Sequence, residues 1–137
     1  MTKEEREILL QWLTKAEHDL IAANILIEAN PLILDIACFH CQQAIEKYLK
    51  AFLIYHDQDF IFTHNLDYLM QLCSQLDKDF TDIDMKNINL YAVRARYPHD
   101  YIAAESAEAQ EYYEIACYIK TTVLDKLPAD FNIKKGS

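Results

Sequence analysis

Two stretches of the chain repeat apolar residues at alternating spacings of four and three, and this pattern limits the fold more than any other feature. The clearer stretch runs through Leu34, Cys38, Cys41, Ile45, Tyr48, Phe52 and Tyr55. The other runs through Leu9, Leu13, Ala16, Leu20, Ala23 and Ile27. Such spacing places the apolar side chains of each stretch on one face of an α-helix. Each stretch therefore predicts a long amphipathic helix of a bundle.

Capping signals predict where these two helices and the next one begin. Thr2 and Glu5 have the spacing of a capping box, so the first helix should start at once. Asn30 is the predicted N-cap of the second helix, with Pro31 at its first position. Thr63 is the predicted N-cap of a third helix with a short apolar stripe of Leu66, Leu69, Cys73 and Leu76.

Two further helices are predicted in the second half of the chain. Thr81 and Asp84 form a cap-like pair that predicts a fourth helix, which should run to Pro98. A last helix should begin between residues 102 and 106 and end at Pro128. Its predicted inner face consists of Ala109, Tyr113, Ala116, Ile119, Val123 and Leu127.

The chain has few of the residues that break helices. One Gly and three Pro occur in 137 residues, and no useful stretch alternates apolar and polar residues with the period of a strand. We therefore predict an all-α fold, an up-and-down four-helix bundle with an additional short helix. Residues 1–128 should form a single domain, and residues 129–137 a C-terminal tail.

The net charge of −9 excludes a general nucleic-acid coating protein, because such proteins are basic. Any nucleic-acid site should be local. The polar start of the chain does not resemble a signal or transit peptide, and no apolar run approaches the length of a membrane span. We expect a cytoplasmic protein without a membrane partner.

Four cysteines occupy apolar helical positions: Cys38, Cys41, Cys73 and Cys117. Cys38 and Cys41 have the spacing of half a zinc site, but no second pair of ligands completes it. We interpret the four as buried thiols of a reducing compartment, and we expect no metal and no cofactor.

The polar face of the second helix contains Gln42, Gln43, Glu46, Lys47 and Lys50. Most of these side chains should be solvated, although Gln42 or Glu46 could instead face an interior polar site. His64, next to the predicted cap of the third helix, is interpreted as a local structural residue.

The segment from Tyr91 to Tyr101 concentrates groups that could do chemistry. It contains Arg94, Arg96 and His99 within an otherwise acidic chain. On an unbroken helix, Arg94 and His99 would point roughly 140° apart, but Pro98 should interrupt the helix and let His99 turn back toward Arg94. A fixed cation beside a histidine suits phosphate chemistry. In the alternative interpretation, the arginines only stabilise a helix end.

Several motifs resemble the HEPN domain in order and spacing. They are Trp12…Ala16…Asp19-Leu20…Ala23, Phe39…Gln42-Gln43-Ala44…Glu46-Lys47…Leu49-Lys50-Ala51, Thr63-His64-x-Leu66 and Arg96-Tyr97-Pro98. The resemblance covers roughly residues 5–127. It implies a homodimer that associates with RNA or a nucleotide, often beside a minimal nucleotidyltransferase.

The resemblance also implies roles for individual residues. Active HEPN ribonucleases carry Arg, four to six residues and then His, and Arg94-x4-His99 has this spacing. These two would be the catalytic residues of a metal-independent endoribonuclease that spares DNA, with Arg96 as an additional phosphate contact. A toxin subgroup paired with nucleotidyltransferase antitoxins extends the motif by x-Tyr, which here is Tyr101, the implied site of AMP transfer.

One position departs from the pattern of active members. Many of them have Asn, Asp or His directly after the arginine, and this chain has Ala95. Other HEPN proteins keep Arg-Tyr-Pro without a following histidine and are not known as nucleases. The alternative function is therefore a non-catalytic HEPN dimer that binds a nucleotide or a nucleotidyltransferase partner.

Overall fold

The computed structural model describes residues 1–29, 33–88 and 105–132. These residues form four α-helices, α1 (Lys3–Ala29), α2 (Leu34–Tyr55), α3 (Leu66–Leu76) and α4 (Ser106–Asp125), and two 3₁₀ turns, Lys78–Phe80 and Ala129–Phe131. No strand occurs in these ranges, so the predicted all-α class is confirmed. No helix of this part of the chain is long and apolar enough to cross a bilayer.

Helix α2 is the central element, because it packs against α1, α3 and α4. Its predicted apolar stripe is buried from Leu34 to Phe52, and Tyr55 packs against the core. The stripe of α1 is likewise buried from Leu9 to Ala23. Because these two stripes face each other, α1 and α2 form an antiparallel hairpin.

Ion pairs show how α4 joins this hairpin. Lys120 on α4 lies 2.5 Å from the Glu17 carboxylate on α1, and Asp130 just after α4 lies 2.8 Å from Arg6 near the start of α1. Helix α4 therefore runs antiparallel to α1. Its buried face includes Tyr112, whereas the predicted Tyr113 is only partly buried.

The ends of the helices confirm some capping predictions and correct others. Thr2 and Glu5 form the predicted capping box, with reciprocal hydrogen bonds of 3.1 and 3.2 Å. For α3 the N-cap is Asn65, whose side chain accepts from the Asp67 and Tyr68 amides, so the prediction of Thr63 was wrong. Asn30 and Pro31 lie outside the described residues.

Helix α2 ends in a Schellman motif. The amide of Gln58 donates to the Leu53 carbonyl at 2.9 Å, and that of Asp57 to the Ile54 carbonyl at 3.0 Å. Asp57 has a φ of 54°, a left-handed conformation that glycine usually supplies. The loop that follows leads the chain back to α3.

The predicted fourth helix does not begin at Thr81 and Asp84. Residues 81–88 form turns instead, in which the Asp84 carboxylate accepts from the Lys86 amide at 2.8 Å. An aspartate that bonds the amide two residues later favours a turn over a helix. Residues 89–98, the rest of this predicted helix, lie outside the described part.

Two other predictions concern the edge of the core. Leu76, placed on the buried stripe of α3, is 41% exposed, and Met70 is buried instead. Residues 129–131, assigned to the tail, form a 3₁₀ turn whose Phe131 is buried. The Arg6 guanidinium lies 4.5 Å from the Phe131 ring centroid, so this turn packs on the first helix.

Candidate functional site

The four residues of the predicted ribonuclease site, Arg94, Arg96, His99 and Tyr101, lie outside the described residues. The structure does place the residues on either side of them. Ile88 is buried in the core before this segment, and Tyr112 is buried on α4 after it. Burial raises the pKa of Tyr112 to about 12, although a hydrogen bond from the Asn87 amide opposes the rise. That hydrogen bond ties the chain before the segment to α4.

Within the described residues, the most unusual polar site is a buried cluster that α2 and the loop before α3 form together. We call Gln42, Glu46, Lys50 and His64 the buried polar cluster. Gln42, Glu46 and Lys50 are each at most 3% exposed. This corrects the expectation that most of the polar face of α2 is solvated, and it bears out the alternative that Gln42 and Glu46 face an interior site.

Glu46 is the centre of this cluster, because its two carboxylate oxygens contact two different side chains, Lys50 and His64. Oε2 accepts from the Lys50 ammonium at 3.1 Å, and Oε1 lies 2.9 Å from Nδ1 of His64. The Gln42 amide donates to the His64 backbone carbonyl at 3.4 Å. An ionised carboxylate only accepts hydrogen bonds, so Nδ1 of His64 carries the proton. His64 is therefore held in one orientation and one tautomer when neutral.

Two aromatic rings lie near the ammonium of Lys50. It lies 5.5 Å from the ring centroid of Trp12 on α1 and 5.6 Å from that of Phe62 in the loop. Both distances are within the range of cation–π contacts. A buried ammonium is otherwise costly, so Glu46 and the two rings together account for its position.

A second cluster lies between α1 and the opposite edge of the polar face of α2. The Asp19 carboxylate accepts from Nδ1 of His40 at 2.9 Å and from the Lys47 ammonium. Burial by itself would raise the pKa of Asp19, but the hydrogen bonds from His40 and Lys47 outweigh burial and hold that pKa below its usual value. Asp19 is therefore an ionised anchor for both groups.

A third cluster joins three helices. The Glu17 carboxylate on α1 accepts from the Tyr48 phenol on α2 at 3.0 Å and from the Lys120 ammonium on α4 at 2.5 Å. Burial, followed by the nearby Glu17 charge, raises the pKa of Tyr48 far above its ordinary value. Tyr48 therefore stays protonated and acts as a donor, which is a structural role.

The cysteines are structural too. Cys38, Cys41 and Cys73 are completely buried, and burial raises the pKa of Cys38 and of Cys73 to about 12. Thiols of this kind are poor nucleophiles and poor metal ligands at neutral pH. No group of three His, Cys, Asp or Glu side chains in ranges 1–29, 33–88 and 105–132 could hold a metal ion.

A surface cavity of about 720 Å³ lies elsewhere, between the Lys78–Phe80 turn and α4. Three aspartates and two lysines are among the residues that line it. One of these lysines, Lys126, is bound to Asp77 at 2.9 Å and to Asp79 at 2.6 Å. Because carboxylates outnumber ammonium groups in this lining, the cavity is poorly suited to an anionic ligand.

Sequence reasoning offered an interior position of Gln42 or Glu46 only as an alternative, and it missed their partner His64, which lies 18 residues after Glu46 in the chain. Glu46 and His64 meet only after the loop before α3 has packed on α2. A signal did exist: Glu46 and Lys50 are spaced four residues apart, next to the wholly apolar run Ala51-Phe52-Leu53. Such a pair can be interior as well as solvated.

The family model of the HEPN domain matches residues 9–126. No curated protein matches the sequence significantly. Among solved structures, the chain is similar to an archaeal HEPN homologue, ST0689, with a TM-score of 0.62 and 21% identity over 86% of this chain and 96% of the other.

The chain is also similar to TT1696, a protein of Thermus thermophilus. The TM-score is 0.64 and the identity 25%, over 92% of this chain and 100% of the other. The family model spans all four helices, from the first core leucine of α1 to the end of α4. This chain belongs to the HEPN domain family.

Proposed function

We propose that this protein is a metal-independent endoribonuclease and the toxin of a HEPN/nucleotidyltransferase toxin–antitoxin pair. The observation that carries the proposal is the Arg94-x4-His99-x-Tyr101 motif, which lies within the residues matched by the HEPN family model. Active HEPN ribonucleases use this spacing of arginine and histidine. The proposed active form is a homodimer.

In the proposed reaction, the ribose 2′-oxygen of RNA attacks the adjacent phosphorus and the bond to the 5′-oxygen breaks. His99 acts as general base or general acid, by taking the 2′-hydroxyl proton or by protonating the leaving oxygen. The products are a 2′,3′-cyclic phosphate and a 5′-hydroxyl end. DNA lacks the 2′-hydroxyl and is not cut.

Arg94 holds the scissile phosphate and stabilises the negative charge that develops on it. Arg96 supplies an additional phosphate contact. A guanidinium stays protonated at any physiological pH, so it can take the electrostatic role that a metal ion has in other nucleases. Cleavage is therefore expected to persist when metals are chelated.

Tyr101 is the proposed point of control. The antitoxin would transfer AMP from ATP to its phenol, which joins the phenolic oxygen to the α-phosphorus and releases pyrophosphate. The added phosphodiester carries a negative charge and a bulky base into the space of the RNA phosphate. Repulsion and steric blockage would then prevent substrate binding, and Arg94 could pair with the modification itself.

A second function is favoured by one residue. Ala95 stands where many active members have a polar side chain directly after the arginine. In this alternative, the protein is a non-catalytic HEPN dimer that binds a nucleotide or a nucleotidyltransferase partner.

One set of variants tests both functions. The purified protein should cut RNA in EDTA and leave DNA intact, while Arg94→Ala and His99→Ala should each lower cleavage at least about 100-fold, the usual effect of losing such groups. His18→Ala, which removes an exposed histidine of α1, is the matched control and should stay active. Metal-dependent cleavage, or full activity of His99→Ala with unchanged thermal unfolding, would contradict the mechanism. A wild type that cuts no RNA but binds a nucleotide or the nucleotidyltransferase would favour the alternative.

Mass spectrometry together with the cleavage assay tests the role of the antitoxin. Co-expression with its nucleotidyltransferase should raise the intact mass by one or more AMP units and stop cleavage. Tyr101→Phe should escape both effects and stay active, whereas Tyr118→Phe, which changes an exposed tyrosine of α4, should be modified like the wild type. Equal modification of wild type and Tyr101→Phe would exclude Tyr101 as the point of control.

A further inference from the structure

Phe62 is the most exposed large apolar side chain of the described residues, at 90%. Its neighbour Ile61 is 65% exposed. Asp59 and Thr63 on either side are polar, and Phe60 is partly buried against the core. Because Ile61 and Phe62 are adjacent and both exposed, the effect of Ile61→Ala separates a role of the Phe62 ring in ligand binding from a role of the whole patch in protein docking.

Two residues of the buried polar cluster, Lys50 and His64, lie near the exposed Phe62 ring. The Lys50 ammonium lies 5.6 Å from its centroid, and Glu46 holds that ammonium at 3.1 Å in a nearly buried site. The His64 ring approaches Phe62 edge to face, with centroids 5.7 Å apart. The Lys50 ammonium and the His64 ring therefore lie close to Phe62, while the ring stays open to a ligand.

His64 adds a hydrogen-bonding atom beside this ring. Its Nδ1 is bound to Glu46, while Nε2 makes no hydrogen bond within the described part of the chain. The His64 side chain is 40% exposed, so a ligand can reach it. Glu46 fixes the imidazole and thereby leaves Nε2 as the atom presented to a ligand.

We propose that Phe62 and His64 form a subsite for one unpaired nucleobase of single-stranded RNA. The base would stack on the exposed ring of Phe62, and the edge of the base would form a hydrogen bond with Nε2 of His64. An unpaired base presents a flat π face and a polar edge, and proteins bind it with these two kinds of group. The proposal rests on the proposed function for its ligand, and it adds a contact that the Arg94–His99 motif does not provide.

The chemistry of this subsite suits an acidic protein. Stacking involves the neutral base rather than the phosphate, so it does not depend on a basic surface, which a net charge of −9 does not provide. The Lys50 ammonium is nearly buried and paired with Glu46, so it is not available to the RNA backbone. The subsite would thus select single strands over duplexes, whose bases are already stacked.

Binding is measured by fluorescence anisotropy with a labelled single-stranded oligonucleotide of 2′-O-methyl RNA. This probe cannot be cut, because its 2′-oxygens are blocked, so binding is separated from cleavage. Phe62→Ala should weaken binding about tenfold, in line with the loss of one stacked base. Phe62→Leu keeps apolar area without a π face and should weaken it as much, whereas Phe62→Tyr should bind like the wild type. Ile61→Ala is the matched control and should leave binding unchanged.

A second measurement detects the stacked base directly. In the double variant Trp12→Phe, Phe62→Trp, the introduced indole is the single tryptophan of the chain, and a base stacked on it should quench its fluorescence. Phe62 is almost fully exposed, so Phe62→Trp should cost little stability. Trp12 packs against the core on α1, so Trp12→Phe alone is the control for that change.

The outcomes separate this proposal from the proposed function. Binding that falls in Phe62→Ala supports the subsite even if the wild type cuts no RNA. Unchanged binding in Phe62→Ala, or no binding by the wild type, overturns it even if RNA is cut. Equal losses in Ile61→Ala and Phe62→Ala, or a change in oligomeric mass in Phe62→Ala with RNA binding intact, would also overturn it, because they would indicate a protein-docking surface.

Discussion

Asp19 and Glu46 each hold a histidine through its Nδ1 atom, but they differ in how their charges are balanced. Asp19 binds His40 and Lys47 at the edge of the bundle, where its side chain is 12% exposed. Glu46 lies deeper, at 4%, with Lys50 equally buried beside it. Removing either partner of such a buried pair leaves a charge without compensation. Because Asp19 is less deeply buried than Glu46, its removal should perturb the fold less, and it is the better site for a test by titration.

Asp19→Asn should destabilise the protein by about 1–2 kcal/mol at neutral pH, because two charge-assisted hydrogen bonds are weakened. The pKa of Asp19 is lowered in the folded state, so its contribution is complete above the unfolded pKa and is lost as the pH falls through the folded pKa. The difference between wild type and Asp19→Asn should therefore shrink below about pH 4. Urea unfolding at neutral and acid pH measures it.

Asp82→Asn serves as the control for this titration, since Asp82 is exposed and makes no ion pair within the described residues. Its unfolding free energy should stay close to that of the wild type at neutral pH, because no hydrogen bond or ion pair of the described residues is lost. If the gap between wild type and Asp19→Asn stayed constant on acidification, the lowered pKa of Asp19 would be wrong.

At the scale of elements, α3 is the helix that depends most on its cap. It is only 11 residues long, and helices of this length are marginal without capping and packing. The Asn65 side chain satisfies two amides of its first turn, whereas the Thr63 hydroxyl accepts from the Asn65 amide, at 3.0 Å, before the helix begins. The two residues therefore make unequal contributions to the start of α3.

Asn65→Ala should cost about 1 kcal/mol of stability, the usual value for an N-cap. Thr63→Ala should cost clearly less, because the helix keeps its cap. Urea unfolding gives the free energies, and amide exchange at Asp67 and Tyr68 shows whether the first turn frays. A larger loss in Thr63→Ala than in Asn65→Ala would mean that the cap is Thr63, as first predicted from the sequence.

The sequence predicts the cores of α1 and α2 well, because a stripe of apolar residues has one low-energy arrangement, facing another stripe. It predicts the polar face of α2 poorly. Whether Glu46 is solvated or buried depends on partners such as His64, which reaches it from another part of the chain. Local spacing contains no information about such partners.

The candidate catalytic residues, unlike the buried polar face of α2, are recognised from local sequence alone. Arg94 and His99 are recognised from their types and spacing, so the sequence is sufficient to propose them. Their mutual distance depends on how the chain turns at Pro98, and spacing alone does not specify that turn. The subsite at Phe62 and His64 could not be found this way, since only the fold shows that this ring is exposed and that Glu46 orients the imidazole.

At the scale of the whole molecule, the proposed RNA site would need more cations than one chain provides. One chain has a net charge of −9, and the proposed site contributes only Arg94, Arg96 and His99 to an RNA backbone. A C2 dimer that brings two such sites together would double the local cations. Light scattering at micromolar concentration should therefore give twice the mass of the chain.

In the proposed dimer, both sites should contribute to RNA binding. Raised salt is expected to weaken RNA binding before it dissociates the dimer, because phosphate contacts are the more salt-sensitive of the two. A monomer at micromolar concentration that still cleaves RNA fully would show that a single site is sufficient.

The contact between Arg6 and Phe131 joins the start of the described chain to its end, so it can form only late in synthesis. Helices α1 and α2 leave the ribosome first and can pair early, since they are neighbours in sequence. Phe131 is made after every one of the four helices. The surface of Tyr55 that it contacts therefore stays uncovered until translation of the domain is nearly complete, and a nascent chain is open to chaperones at this end of the bundle.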